Sequence, residues 1–150
     1  MRVVCHIRIG ADRRIKKMTL DEFMAFEEGH VERHEFWGGH ILPMGGESAK
    51  HHRVVLNLAC LIADLIDGTS CQVVRQSMSL QVADGLLYPD VKVTCDKALA
   101  GDESFVTDPT LVIEVIDPAA TGYDKRDKFR RYRMAASLRE YVLADAATRQ

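Results

Sequence analysis

The chain has 150 residues, 47% hydrophobic and 28% charged, a balance ordinary for a soluble globular protein. That length suits one domain able to bury roughly 70% of its unfolded surface. The net charge is −2, so no global field advertises a polyanionic partner, and any nucleic-acid footprint must be local.

The opening MRVVCHIRIGADRRIKKM is basic, but His6 and Arg8 interrupt its apolar run, so it fails as a signal peptide. Residues 1–17 read as an extension outside the fold, with Met18 as an alternative start; a functional basic arm is the competing reading. The domain then covers 18–150. Thr19-Leu-Asp-Glu22 is a capping box, which predicts a short helix over about 20–28. RHEFWGGHILPM predicts two short strands around Gly38-Gly39. Ser48 can cap a helix running to Ile66, with Val55, Leu58, Ile62 and Leu65 as its apolar stripe and Gly68 as its stop. The apolar part of that helix, residues 54–66, contains Asn57 and Asp64 and is too short to span a bilayer.

CQVVRQSMSLQV and LLYPDVKVTC flank Ala83-Asp84-Gly85, a strong hairpin signal. A turn centred on Asp84-Gly85 puts Ser77, Ser79 and Gln81 on one polar face with Tyr88, Asp90, Lys92 and Thr94. The other face is core. Pro89 is tolerable only near a strand start or on an edge. TLVIEVI is apolar on both faces, as in a central strand, and Pro118 ends it. Thr121 precedes a helix over DKRDKFRRYRMAA, and LREYVLAD is the last strand. The order predicts an α/β fold with a single mixed sheet and flanking helices. Cys5, Cys60, Cys71 and Cys95 show no metal spacing; all but Cys5 fall in apolar elements, which predicts small buried thiols in a reducing cytoplasm.

Glu114, inside an apolar strand, is expensive when ionised unless it is paired or holds a metal. If strands 87–95 and 110–116 are neighbours, Asp90 and Glu114 can converge. Two carboxylates about 4 Å apart repel by roughly 4 kcal/mol at an effective dielectric of 20, so one keeps a proton or a cation sits between them. Mg2+ or Mn2+, hard cations that take carboxylates, suit the second case. The bland reading is that Glu114 pairs with a lysine or arginine while Asp90 caps a strand end.

In these residues the chain resembles the PD-(D/E)XK nuclease superfamily, and more closely its Uma-type branch of restriction endonucleases. The resemblance runs from about Met18 to Asp145, through MTLDEFMAFEEG, HEFWGGHILPM, SAKHHRVVLNLACLIADLI, YPDVKV, LVIEVIDPAAT, YDKRDKFRRYR and SLREYVLAD, in that order. It implies a restriction-endonuclease-like core and a metal site on Asp90, Glu114 and the Val115 carbonyl, with Glu35 contributing. The superfamily's lysine two residues after the glutamate is replaced here by Ile116. In this branch the lysine moves to the following helix, where Lys128 matches; its bland reading is an i,i+4 pair with Asp124. Tyr132 lies one turn further along, able to support Lys128 or close the pocket. His51 matches the family's helix-opening histidine, or else faces solvent; His52 and His40 read as surface residues.

The chain departs from the family at Gly38-Gly39-His40, where supporting acidic residues are usual, and at Asp117-Pro118. The family also continues past the last strand, so the C-terminal strands are expected to be missing and an inactive or partner-dependent product follows as an alternative. The leading expectation is a Mg2+-dependent endonuclease that hydrolyses DNA. The alternative is an inactive nuclease-fold module that binds nucleic acid or a protein partner. Lys125, Arg126 and Arg131 on the basic helix are candidate phosphate contacts, though a charge run usually marks a solvated face. A homodimer is compatible with the resemblance; no membrane association and no organic cofactor are expected.

Overall fold

The structure, a computed structural model, describes residues 17–44, 46–74, 76–95, 105–116 and 122–147. The extension up to residue 16, together with Cys5, Asp117, Pro118 and Thr121, lies outside the described residues. Helix α1 (Leu20–Glu28) begins at the expected capping box. Thr19 Oγ1 accepts from the Glu22 N–H at 3.2 Å, and Glu22 Oε2 accepts from the Thr19 N–H at 2.8 Å. Strands β1 (His34–Trp37) and β2 (His40–Pro43) follow. Gly38 and Gly39, at φ 57° and 88°, supply the left-handed pair that such a two-residue turn requires.

Helix α2 (Ala49–Ile66) is capped by Ser48, whose Oγ accepts from the His51 N–H at 3.1 Å. Its inner face is Val54, Val55, Leu58, Ala59 and Ile62. Leu65, expected in that stripe, points outward and is 81% exposed. Ile66 is the half-buried residue in that last turn.

The long hairpin is where structure and expectation differ most. Its two arms are each divided, giving β3 (Gln72–Val74), β4 (Ser79–Val82), β5 (Gly85–Leu87) and β6 (Val91–Thr94). The turn is centred on Ala83-Asp84, one residue earlier than expected, because Val82 pairs with Gly85. Ala83 takes the left-handed conformation at φ 52°. Gly85 is glycine for a different reason: a Cβ there would overlap the Trp37 ring. The Asp-Gly signal located the hairpin but assigned the glycine to the wrong task.

The short β7 (Phe105–Val106), the long β8 (Pro109–Ile116) and, after α3 (Gly122–Tyr132), β9 (Glu140–Asp145) complete the sheets. The mixed α/β class with flanking helices holds. Among the described residues the strands, expected in a single sheet, hydrogen-bond as two mixed sheets, β2-β1-β5-β4-β7 and β3-β6-β8-β9. Pro89 lies at the break between β5 and β6, where its missing N–H costs no ladder bond. Strand β8 is central, antiparallel to β6 and parallel to β9.

Three apolar clusters hold the layers. Phe23 of α1 stacks on Phe36 of β1 at 4.8 Å, and burying each ring contributes roughly 1.5–3 kcal/mol. The inner face of α2 covers Val91, Ile113 and Val115. Tyr132 of α3 and Val112 of β8 join Leu80 and Leu87 between the sheets. The cysteine expectation is corrected: Cys60 is exposed on the outer face of α2, and Cys71 and Cys95 are joined in a disulfide. They flank the β3–β6 ladder beyond the Gln72–Thr94 pair, so the strand pairing itself brings them opposite each other.

Candidate active site

Alternation along β8 sets the site. Ile113 and Val115 face α2, so Glu114 faces the opposite layer, where α3 carries Tyr132 and Lys128. Glu114 Oε1 accepts from the Tyr132 hydroxyl at 2.6 Å and from Lys128 Nζ at 3.3 Å. Lys128 Nζ also lies 3.3 Å from Glu35 Oε1. Glu35 sits on β1 in the other sheet, and the same Oε1 accepts from the Tyr88 N–H at 3.1 Å. Thus Lys128 bridges a carboxylate from each sheet. The i,i+4 alternative for this lysine involves Asp124, whose side chain lies outside the described residues.

Asp90 stands just before β6, where both layers reach it. Its Oδ2 accepts from the Val115 N–H at 2.7 Å and meets His51 Nε2 at 3.2 Å; Oδ1 accepts from Gln76 Nε2 at 3.2 Å. The described β6–β8 ladder ends at the Val91–Ile113 pair, so the Asp90 side chain takes the backbone donor that a further residue of β6 would have met. N–H and C=O of one strand residue share an edge. The Val115 carbonyl is therefore turned to the same edge as Asp90.

The electrostatics follow from burial. Asp90, Glu35 and Glu114 are all buried. Burial pushes Glu114 up to about 8; Lys128 and the Tyr132 hydrogen bond pull it down, while Asp90 and Glu35 push it further up. Burial pulls Lys128 down, yet Glu114 and Glu35 outweigh it and hold this lysine above its ordinary value. The Tyr132 hydroxyl is raised by burial and by the neighbouring Glu114 and Glu35 charges.

Sequence reasoning missed three participants. Lys92 is fully buried, and burial lowers it to about 8 against the opposing pull of Glu114 and Asp90. Its signal was present, since it shares a strand face with Asp90 two residues earlier. The polar face of that strand, expected to contrast with the core, is itself buried: Tyr88, Asp90, Lys92 and Thr94 are all enclosed. Gln76 carries no sequence signal, for it reaches Asp90 from the turn between β3 and β4. Tyr141 of β9 has a buried hydroxyl with no hydrogen-bond partner, and Glu114, Lys128 and Asp90 all act on it electrostatically.

Asp90, Glu114, Glu35, Lys128, Tyr132 and His51 are thus brought into one connected group, with Val115 joined through its backbone. His51 does not face solvent; it is 5% exposed. His40 and His52 are exposed. Arg131 is not presented as a free phosphate contact: it is half-buried, its guanidinium 5.3 Å from the centre of the Trp37 ring. The Lys125 and Arg126 side chains lie outside the described residues.

Asp90, Glu114 and Glu35 are buried, burial leaves Glu114 holding a proton near neutral pH, and carboxylates are the donors that a hard divalent cation takes. The residues present fit such an ion.

The family model described as "Uma2: Putative restriction endonuclease" matches residues 20–150. Two proteins of Synechocystis sp. (strain ATCC 27184 / PCC 6803 / Kazusa) are similar over 134 residues. "Uncharacterized protein slr1290" is 34% identical, covering 88% of this chain and 70% of its own. "Uncharacterized protein sll1609" is 37% identical, covering 87% of this chain and 76% of its own. Among solved structures, "a putative nuclease belonging to DUF820 from Anabaena variabilis ATCC 29413" has a TM-score of 0.70 at 17% identity, covering 85% of this chain and 74% of that one. That likeness bears on the fold alone.

Proposed function

The chain belongs to the Uma2 family, and from that premise we propose that it is a metal-dependent endonuclease hydrolysing phosphodiester bonds in DNA. The observation that carries this reading is Lys128 held between Glu114 and Glu35, one carboxylate from each sheet, with Asp90 bonded to the backbone N–H of Val115 beside Glu114. Asp90 and Glu114 would hold Mg2+ or Mn2+ together with the Val115 carbonyl. When bound, such an ion supplies charge stabilisation at the phosphoryl oxygens and lowers the pKa of a water.

The protein's own groups do the rest. Lys128 is held fully protonated by its two carboxylates and is placed to stabilise negative charge developing on the phosphate, or to orient the attacking water. Tyr132 fixes Glu114 through its hydroxyl. His51, Gln76 and the Val115 N–H fix Asp90, so neither carboxylate has to be ordered when substrate arrives. Glu35 keeps Lys128 aimed into the site and would be a further carboxylate donor to a hydrated cation.

DNA is the proposed partner; among the described residues of α3 and the turn after it, Arg130, 3.8 Å from Asp127, and Arg133, over the Phe129 ring, are exposed cations that can meet its backbone. No helix among the described residues is long and apolar enough to cross a membrane. An intracellular DNA substrate would place the protein in the cytoplasm, where a Cys71–Cys95 bond is not usually kept.

The test is cleavage of plasmid and linear DNA with Mg2+ or Mn2+. Glu114→Ala should abolish turnover, and Lys128→Met should lower it by roughly 100–1,000-fold. Equal rates in wild type and Glu114→Ala would remove this site from the reaction. Saturable Mn2+ binding with no cleavage of any DNA would favour the inactive nucleic-acid-binding alternative.

A further inference from the structure

A second group of ligating side chains stands at the start of α2, apart from Glu114 and Lys128. Glu47 precedes the cap residue Ser48, and His51 and His52 occupy the first turn. His52 Nδ1 lies 3.3 Å from Glu47 Oε2, and His51 Nδ1 lies 3.5 Å from the same oxygen. One ligand atom from each of the three residues falls within 4.8 Å of the other two. Bonds of about 2.0–2.2 Å to a tetrahedral ion imply ligand–ligand edges of roughly 3.4 Å. Two of the three edges are already near that length.

His51 provides an independent observation. The residue is 5% exposed, and its Nδ1 is buried without a hydrogen-bond partner, since Glu47 is close but not in hydrogen-bonding geometry. A buried nitrogen left in this way carries a desolvation cost that a ligand would remove. Its other nitrogen, Nε2, meets Asp90 Oδ2 at 3.2 Å. An ionised carboxylate only accepts, so Nε2 is the nitrogen that donates to Asp90, and in the neutral ring Nδ1 would then offer its lone pair on the side of Glu47. Metal-binding histidines ordinarily show this arrangement, with the second ring N–H donated to a carboxylate.

We infer that Glu47, His51 and His52 form a binding site for a divalent transition-metal ion of the Zn2+ class, with Asp90 orienting His51 from behind. Two imidazoles and a carboxylate suit Zn2+, Co2+ or Ni2+ better than Mg2+. Three protein ligands leave a fourth position for water or a substrate oxygen. His52 is well exposed and Glu47 half-buried, so an ion can enter from solvent. The N-terminus of α2 disfavours a cation, and the charge of Glu47 offsets it. This site needs neither Glu114 nor Lys128, so the inference stands whether or not the chain cuts DNA. Because His51 joins the two sites through Asp90, any effect of one ion on the other's affinity must be reciprocal.

The probe is Co2+, added to the full-length chain and followed by visible absorption and calorimetry. Wild type and Glu114→Ala should bind it with equal affinity and give tetrahedral absorption bands, with Zn2+ but not millimolar Mg2+ displacing it. His52→Ala, which alters an exposed side chain, and Glu47→Gln should each weaken binding at least tenfold. Unchanged affinity in both variants overturns the inference. So does loss of Co2+ in Glu114→Ala, which would place the ion in the acidic cluster, or a thiolate charge-transfer band, which would place it on Cys60.

Discussion

Divalent cations should bind the acidic cluster with release of protons, and the amount can be worked from the structure. Burial places Glu114 at about 8, so at pH 7 the metal-free carboxyl is roughly 0.9 protonated. Coordination needs the ionised form, and binding expels that proton. Lys92, lowered by burial to about 8, sits beside the same carboxylates and can surrender up to about 0.9 more as a cation arrives. The expected release is therefore about 0.9–1.8 protons at pH 7, falling to roughly 0.2–0.5 at pH 8.5. Calorimetric titration with Mn2+ in buffers of different ionisation enthalpy reads this number directly. Lys92→Met should leave about one proton at pH 7. A release below roughly 0.3 in the wild type would show that Glu114 is already ionised, and that burial does not govern it.

The same group links stability to pH. The folded value of Glu114 lies above its ordinary 4.5, so its contribution is fully present below about pH 4.5 and is lost as pH rises through about 8. Stability of metal-free protein should fall across that window by up to about 1.4 kcal/mol per pH unit, and urea titrations of Glu114→Gln should lack that slope. Tyr132→Phe removes the 2.6 Å bond to Glu114; it should cost about 1–3 kcal/mol and, by raising Glu114 further, weaken Mn2+ binding at pH 7. Gly85→Ala drives a methyl into the Trp37 ring and should cost about 1–3 kcal/mol in chemical denaturation; no loss would mean the ring moves aside freely. Reducing Cys71–Cys95, separated by 24 residues, should remove about 3 kcal/mol, and equal urea midpoints with and without dithiothreitol would contradict that bond.

Elements whose information is local were legible from the chain alone. Thr19-Glu22, Gly38-Gly39 and Ser48 each encode a cap or turn through their nearest neighbours, and each stands where expected. Failures came where distant packing chose among local options. The turn falls on Ala83-Asp84, and Gly85 lies where a Cβ would overlap the Trp37 ring, a proximity across 48 positions of sequence that no hairpin rule contains. Leu65 fits the helical period but is left exposed, with Ile66 half-buried beside it. Within the site, Asp90 and Glu114 were conspicuous because carboxylates next to apolar strands demand an explanation. Lys128 became readable only through the family resemblance, since Ile116 occupies the expected position. Gln76 and Tyr141 reach the site from ordinary polar and aromatic positions. Only the fold brings them near Asp90 and Glu114.

The charge balance explains why this cluster suits a phosphodiester and why it needs a cation. Among the described residues, with Asp90, Glu114 and Glu35 ionised and Lys92 and Lys128 protonated, three negative and two positive charges sum to −1. Without a metal the cheapest remedy is one proton, and desolvation assigns it to Glu114, bringing the sum to zero. Neither state attracts a phosphate. A dication that ionises Glu114 brings the total to +1 if Lys92 keeps its proton, opposite in sign to one backbone phosphate. The lysine on α3 is then more than a relocated copy of a strand lysine. Pinned between carboxylates of both sheets, Lys128 remains charged at every working pH, whereas Lys92, enclosed by burial, can give its proton up. Lys92→Met would therefore lower the metal-bound charge from +1 to zero. It should weaken binding of short DNA in Ca2+ at low salt, while Lys128→Met should in addition slow turnover of bound DNA in Mg2+. If both variants bound DNA as tightly as wild type, the balance of charge would not be what draws the phosphate in.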